Sequence, residues 1–363
     1  MRGGRAAAAV IRLDALRANL ARVRAAAPSS RVLAVVKANA YGHGIPGAVR
    51  ALRRADALAV ACIDEAIAIR EAGCDAPVVL LEGVFDADEL ALAARHRCEL
   101  VVHDAWQIDA LANVAAGHRL TVWLKLDTGL NRLGFPSAEA AHARDRLRRI
   151  DAVASLRLMT HLACADVPGA PMTDGQLAAF EAVTAGWDGE RSIANSAGVF
   201  AHPASHADWV RPGLALYGVS PFPDRGAADL GLRPAMTLGA QLIAVRDVPA
   251  GATVGYGAGW RAERATRVGI VGIGYGDGYP SRAQTGTPVL VNGHRCGLVG
   301  RVSMDMLAVD LTGCGDAHVG DPVVLWGDGL PVEEIARCAG TIPWTLLCGV
   351  TDRVRLEYLD GAT

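Results

Sequence analysis

Eight apolar runs of strand length recur in the first two-thirds of the chain, separated by stretches of helical period, and this alternation restricts the fold more than any other feature. The runs are Leu33–Val36, Ala57–Ala61, Val78–Leu81, Glu99–Val102, Thr121–Leu126, Leu156–Thr160, Arg191–Ala194 and Gly213–Tyr217. Between them lie segments rich in alanine, leucine and arginine, such as 63–72, 86–95 and 137–150, whose apolar residues return every three to four positions. A sheet built this way is parallel and buried under its helices. A doubly wound open sheet alternates in the same manner, so the pattern by itself leaves both open. The count of eight, with Tyr217-Gly218 closing the last run, favours a (β/α)8 TIM-type barrel.

Around Pro221-Phe222-Pro223-Asp224-Arg225-Gly226 the texture changes, and after Leu232 helical periodicity nearly vanishes in favour of short β-branched runs and turn residues. Val289–Arg295 carries an Asn-Gly turn between strand-like arms, and 321–326 and 354–359 read as later strands. The expected organisation is therefore a barrel over residues 12–229 and a mostly β C-terminal domain over 230–363, with residues 1–11 packing on the latter. At 363 residues and 51% apolar content the chain can bury a large core.

Thirty-six basic residues against 38 acidic ones leave a net charge of −2, with no basic tract to follow a phosphate backbone, so no nucleic-acid partner is expected. The start, Met1-Arg2-Gly3-Gly4-Arg5 and a short apolar stretch, is too brief for a signal peptide or a membrane span. The expected location is the cytoplasm, without membrane association. Eight cysteines without a C-x-x-C pair argue against zinc, and no metal is expected; reduced, mostly buried thiols are the default.

Reactive residues of parallel barrels gather on loops after the carboxyl ends of strands. Lys37 follows the first run, Lys125 and Arg132 end or follow the fifth, His161 the sixth, Asn195-Ser196 the seventh, and Arg211 precedes the eighth. Each has an ordinary reading: a snorkelling lysine, a hydrogen-bonded core histidine, a helix-capping serine, a surface ion pair. Their convergence on one barrel mouth favours chemistry. A lysine closing an apolar run suits Schiff-base formation, and a serine in a strand-to-helix turn, with backbone N–H groups near Gly198 and Gly213, suits a phosphate.

The segment Ala34-Val35-Val36-Lys37-Ala38-Asn39-Ala40-Tyr41-Gly42-His43-Gly44 resembles the cofactor-lysine signature of the alanine racemase family, AVVKANAYGHG. Further likenesses follow in order along nearly the whole chain. Lys125-Leu126-Asp127-Thr128-Gly129-Leu130-Asn131-Arg132-Leu133-Gly134 is similar to KxDTGMxRLG, and Val254-Gly255-Tyr256-Gly257 to VGYG. Gly274–Pro280 is similar to GYADGYP, with the usual arginine one place late at Arg282, and Gly300–Asp305 to GRVCMD with serine for cysteine.

The resemblance implies pyridoxal 5'-phosphate as cofactor and interconversion of L- and D-alanine, with D-alanine supplying peptidoglycan. By it, Lys37 carries the cofactor; Tyr41, Ser196 and neighbouring Asn195, Gly213 and Leu214 hold it; Arg211 faces the pyridine nitrogen with His161 beside it. Arg132 would meet the substrate carboxylate, Tyr275 would line the entry, and Lys125 would be open to carbamylation. Racemisation needs bases on two faces of Cα, and the resemblance implies Lys37 and Tyr256. It places Tyr256, Met304 and Asp305 in a neighbouring subunit's site, hence a head-to-tail homodimer. One departure concerns Ile342-Pro343-Trp344-Thr345, where the family has Ile-x-Tyr-Glu; Trp344 replaces a phosphate-binding tyrosine and leaves phosphate contact and substrate range open, including a broader specificity that admits serine. A cofactor-binding protein of the same fold without racemase activity is the remaining alternative.

Overall fold

The computed structural model describes residues 7–114 and 117–361, which divide into two compact units. The expectation for Met1–Arg5 lies outside the described residues. One unit comprises residues 16–40 and 45–232; the other comprises the chain up to residue 15, residues 41–44, and residues 233 onward.

The first strand, β1 (Ala8–Arg12), belongs to the second unit. In the first unit, β2 (Arg31–Val35), β3 (Ala57–Val60), β4 (Val78–Leu80), β5 (Cys98–Val102), β6 (Leu120–Asp127), β8 (Val153–Met159), β9 (Arg191–Ser192) and β10 (Trp209–Val210) pair in parallel. Their order returns from β10 to β2, so the sheet closes into an eight-stranded barrel, and the two-residue β7 (Phe135–Pro136) lies beside β6. The helices fill the intervals the periodicity indicated, including Ile63–Glu71, Ala87–Arg95 capped by Asp86, and Ala140–Arg148.

The eighth strand corrects the sequence reading. Gly213–Tyr217 is not a strand: Leu214–Tyr217 forms a 3-10 turn, and the strand is Trp209–Val210. Pro212 has no N–H for a ladder, and the N–H groups of Gly213 and Ala215 both donate to Ser196 Oγ, which bends the chain. Arg211 therefore follows the last strand rather than preceding it.

The lower barrel is closed by charge and indole rings. Trp123 on β6 meets Trp209 on β10 edge to face at 5.8 Å, although β8 and β9 separate these strands, so the contact crosses the lumen. Glu99 accepts from Trp123 Nε1 (2.7 Å) and Arg157 (2.8 Å), while Glu190 accepts from Trp209 Nε1 (2.8 Å) and pairs with Arg157 and Arg31. Burial works to raise the Glu190 carboxyl, but hydrogen bonds from Arg31 and Trp209 and the Arg157 charge outweigh it and hold the group below its usual range.

The second unit is mostly β. The long strand β11 (Met236–Val248) pairs with β1 and β18 (Pro322–Trp326) in its first half and with β14 (Thr266–Val271) in its second. With β15 (Pro288–Val291), β16 (His294–Val299) and β17 (Leu307–Asp310) these strands form a closed antiparallel circuit. The final strand, β19 (Arg355–Leu359), runs parallel to β1. A separate two-stranded ribbon, β12 (Thr253–Val254) and β13 (Trp260–Arg261), carries Tyr256 in its connection. Two short helices, Val332–Cys338 and Pro343–Cys348, interrupt this β texture. The expectation of reduced, mostly buried thiols is corrected: Cys296 on β16 forms a disulfide with Cys314 in the turn after β17, and Cys348 is exposed. Among the described residues no helix is long and apolar enough to cross a membrane.

Candidate active site

Lys37 follows β2, and the backbone beyond it is left-handed: Ala38, Asn39, Ala40 and Tyr41 have φ of 53°, 51°, 55° and 51°. For residues with a Cβ this conformation costs roughly 1–2 kcal/mol each, so surrounding bonds must impose it. Ala40 N–H donates to the Val36 carbonyl (2.9 Å), Asn39 Oδ1 accepts from Ile45 N–H (3.0 Å), and Asn39 N–H donates to Glu65 Oε1 (3.2 Å).

Arg211, 4% exposed, points its guanidinium at the ends of β8 and β9. It donates to the Thr160 carbonyl (2.6 Å), the Ile193 carbonyl (3.3 Å) and Ser192 Oγ (2.7 Å), and lies 3.2 Å from His161 Nδ1. Burial lowers its pKa to about 10, so it stays charged at neutral pH. A guanidinium only donates, so His161 Nδ1 accepts and the imidazole proton sits on Nε2. Burial, followed by the charges of Arg211, Lys125, Arg132 and Lys37, pushes His161 well below the ordinary histidine value.

Lys125 is buried in β6, and its ammonium falls to about pKa 8 through burial and then the charges of Arg211, Arg132 and Lys37, with Glu82 opposing. Arg132 is exposed on the loop after β6, where Asp127 Oδ1 accepts from Gly129 and Asn131 N–H. Asn195 caps the helix Ser196–Ala201 by accepting from Gly198 N–H, so the capping role that ordinary reading gave to Ser196 falls to Asn195. Ser196 is left to tie Gly213 and Ala215, and Leu214 lies buried between them. Lys37, Lys125, Arg132, His161, Asn195, Ser196, Arg211, Gly213 and Leu214 thus gather at one end of the barrel.

Two residues of this neighbourhood carried no sequence signal. Buried Gln176 accepts from Ala163 N–H and donates to the His161 carbonyl and Thr128 Oγ1, joining the loops after β6 and β8. Glu65 reaches the Lys37 turn from the first turn of the helix after β3.

The remaining candidates sit in the β-rich unit. Tyr41 is buried, and burial, followed by Cys348, raises its phenol further. Next to it Gly42 has φ +76°, and a side chain there would meet the Leu347 carbonyl oxygen at 2.1 Å, so this stretch lies directly on the helix that carries half-buried Trp344. Tyr256 is 72% exposed. Tyr275, Met304 and Asp305 are brought together: Tyr275 N–H donates to the Ser303 carbonyl (3.0 Å), Gly276 N–H to the Met304 carbonyl (2.8 Å), and Arg353 links Asp305 (2.5 Å) to buried Asp277 (3.2 Å).

The alanine racemase N-terminal domain model matches residues 11–221, and the C-terminal domain model matches 235–358. The chain is 51% identical over 361 residues to an alanine racemase of Halorhodospira halophila, covering 99% of each, and 51% identical to a biosynthetic alanine racemase of Pseudomonas aeruginosa, covering 96% of this chain and 98% of the relative. The crystal structure of the Pseudomonas aeruginosa biosynthetic enzyme superposes with a TM-score of 0.95 at 50% identity over 98% of this chain and 99% of that one. Alanine racemase from Acinetobacter baumannii superposes at 0.93 and 40% identity, over 98% and 100%.

Proposed function

The chain belongs to the alanine racemase family, and on that basis we propose that it interconverts L- and D-alanine with pyridoxal 5'-phosphate held at the mouth of its barrel. The observation that carries this reading is the donor set. Lys37, Lys125, Arg132 and Arg211 act on one another and on His161 at one barrel end, with Glu82 as the one carboxylate opposing them in the Lys125 balance. So many like charges in a half-buried site are unfavourable unless an anion joins them, and a cofactor phosphate with a substrate carboxylate supplies that charge.

Lys37 would bind the cofactor aldehyde covalently, and the phosphate would sit near Ser196, Asn195, Gly213, Leu214 and Tyr41, with Trp344 on the helix beside Tyr41. When bound, the cofactor supplies acidity at the amino acid's Cα–H. Arg211, charged and donor-only, would face the pyridine nitrogen and disfavour a proton there, which limits carbanion lifetime and side reactions. His161, neutral and accepting from Arg211, steadies that guanidinium.

Proton transfer at Cα needs one base on each face. Lys37 would take or return the proton on one face, removing it from the D isomer. Tyr256 of the partner subunit would serve the other face, removing it from the L isomer. Arg132 would orient the substrate carboxylate, and Met304 and Asp305, with Tyr275 at the entry, would come from the same partner. The exposure of Tyr256, Tyr275, Met304 and Met306 supports this head-to-tail homodimer, since exposed large apolar groups that gather into a patch mark interaction surfaces. The enzyme would work in the cytoplasm, and the D-alanine it makes would supply peptidoglycan. The domain division at residues 229–230 follows the same reading.

The test is incubation of the purified protein and pyridoxal phosphate with L-alanine in heavy water, followed by chiral separation and mass measurement. D-alanine deuterated at Cα is expected. Deuterated L-alanine without the D isomer would leave the two bases uncoupled, and absence of exchange would sink the alanine assignment.

A further inference from the structure

The left-handed turn after Lys37 donates a backbone N–H to a carboxylate from outside the segment. Glu65 sits in the first turn of the helix that follows β3, and its two oxygens serve two loops. Oε2 accepts from Ala61 N–H (2.9 Å), just ahead of its own helix, and Oε1 accepts from Asn39 N–H (3.2 Å) in the turn after β2. The first bond is the ordinary work of an early helical glutamate reaching back to an unpaired N–H. The second has no capping purpose. It engages the middle of a run without glycine in which φ is positive from Ala38 to Tyr41. The other side of that turn is held by Asn39 Oδ1 on Ile45 N–H and by Ala40 N–H on the Val36 carbonyl. Lys37 immediately precedes this run, so the direction of its side chain follows from the turn.

We propose that Glu65 is a positioning residue for Lys37: its carboxylate bridges the loops after β2 and β3 and sustains the left-handed turn that aims the amine. This rests on Lys37 being the cofactor lysine. Glu65→Gln has the right size but one carbonyl oxygen, so it satisfies one of the two N–H groups and turns an N–H donor toward the other. Glycine adopts positive φ without a side-chain penalty, so Ala38→Gly should reduce the dependence of the turn on Glu65.

Three readouts decide the matter on parent, Glu65→Gln and Glu65→Gln/Ala38→Gly: the thermal midpoint, the pH midpoint of the visible absorbance of lysine-bound pyridoxal phosphate, and kcat and KM for L-alanine. In Glu65→Gln the thermal midpoint should stay near the parent's, the absorbance midpoint should shift, and kcat should fall about ten- to a hundredfold with KM nearly unchanged. Ala38→Gly in that background should recover part of the kcat. An absorbance midpoint and kcat equal to the parent's would overturn the proposal, as would a loss of kcat that follows thermal unfolding and is not recovered by Ala38→Gly. A parent that binds the cofactor but leaves alanine unchanged would refute the activity reading alone, because the absorbance comparison still tests Glu65.

Discussion

Arg211 Nη2 lies 3.2 Å from His161 Nδ1, and because a guanidinium has no lone pair to offer, the imidazole accepts in this pair. A protonated His161 would put a donor against a donor beside a buried cation. The neutral ring is thus required by geometry as well as by burial.

His161 should remain neutral throughout the interval in which an ordinary histidine, near pH 6.5, takes up its proton. In that interval the unfolded chain binds the extra proton and the folded chain does not, so this group's contribution to stability is full above pH 6.5 and declines as pH falls below it. An NMR titration of the imidazole checks the first point. Denaturant unfolding of parent and His161→Gln at several pH values checks the second, with the variant expected to show the shallower acid slope.

Lys125 gives a second pH dependence. Its ammonium titrates at about 8 when folded and 10.5 ordinarily, so between these values the unfolded chain holds more protons and stability rises with pH. The contribution is complete above 10.5 and disappears as pH falls through 8. A free amine at mildly alkaline pH is also the species that adds carbon dioxide, and a carbamate there would replace one cation by an anion near Arg132. Mass measurement of the peptide containing Lys125 under gentle conditions, with and without bicarbonate, should show the adduct; its absence in both would remove the proposal.

Trp344 sits on the helix against whose Leu347 carbonyl Gly42, the residue after Tyr41, is packed. Trp344→Tyr restores a hydroxyl and reduces bulk. The expected result is a changed ratio of serine to alanine turnover together with tighter cofactor binding. Equal ratios in parent and variant would show that the residue does not govern substrate range.

Glu99 holds Trp123 Nε1 and Arg157 at once beneath the barrel core. Glu99→Ala leaves the Trp123 indole N–H without its acceptor and the half-buried Arg157 with Glu190 as its remaining carboxylate, a loss of about 1–3 kcal/mol. Denaturant midpoints should fall accordingly, while kcat measured well below the new midpoint should change little, since this cluster occupies the end of the barrel away from Lys37.

The features legible in the sequence were those written in local periodicity or contiguous motif. Seven barrel strands follow from apolar runs, and Lys37, Lys125, His161 and Ser196 follow from their positions at or after the ends of those runs, whereas Arg211 was placed ahead of a strand that it in fact follows. The eighth strand was misplaced because Gly213–Tyr217 is apolar and buried for a different reason, while Trp209–Val210 is too short to show any period. The left-handed turn has no glycine to announce it. Glu65 and Gln176 act on residues 26 and 15 positions away, and the partners of Glu99 are 24 and 58 positions away, so nothing local marks them. The Cys296–Cys314 link joins residues 18 apart without a recognisable spacing.

The pairing of β1 with β19 sets side by side, in one sheet, two strands that have the barrel's whole sequence between them. During synthesis on a ribosome, β1 emerges long before β19, the parallel neighbour with which it pairs. The barrel, complete by residue 232, is free to form while β1 waits. A chain stalled before Arg355 would therefore carry a closed barrel and one unpaired strand edge, the kind of surface that captures other chains.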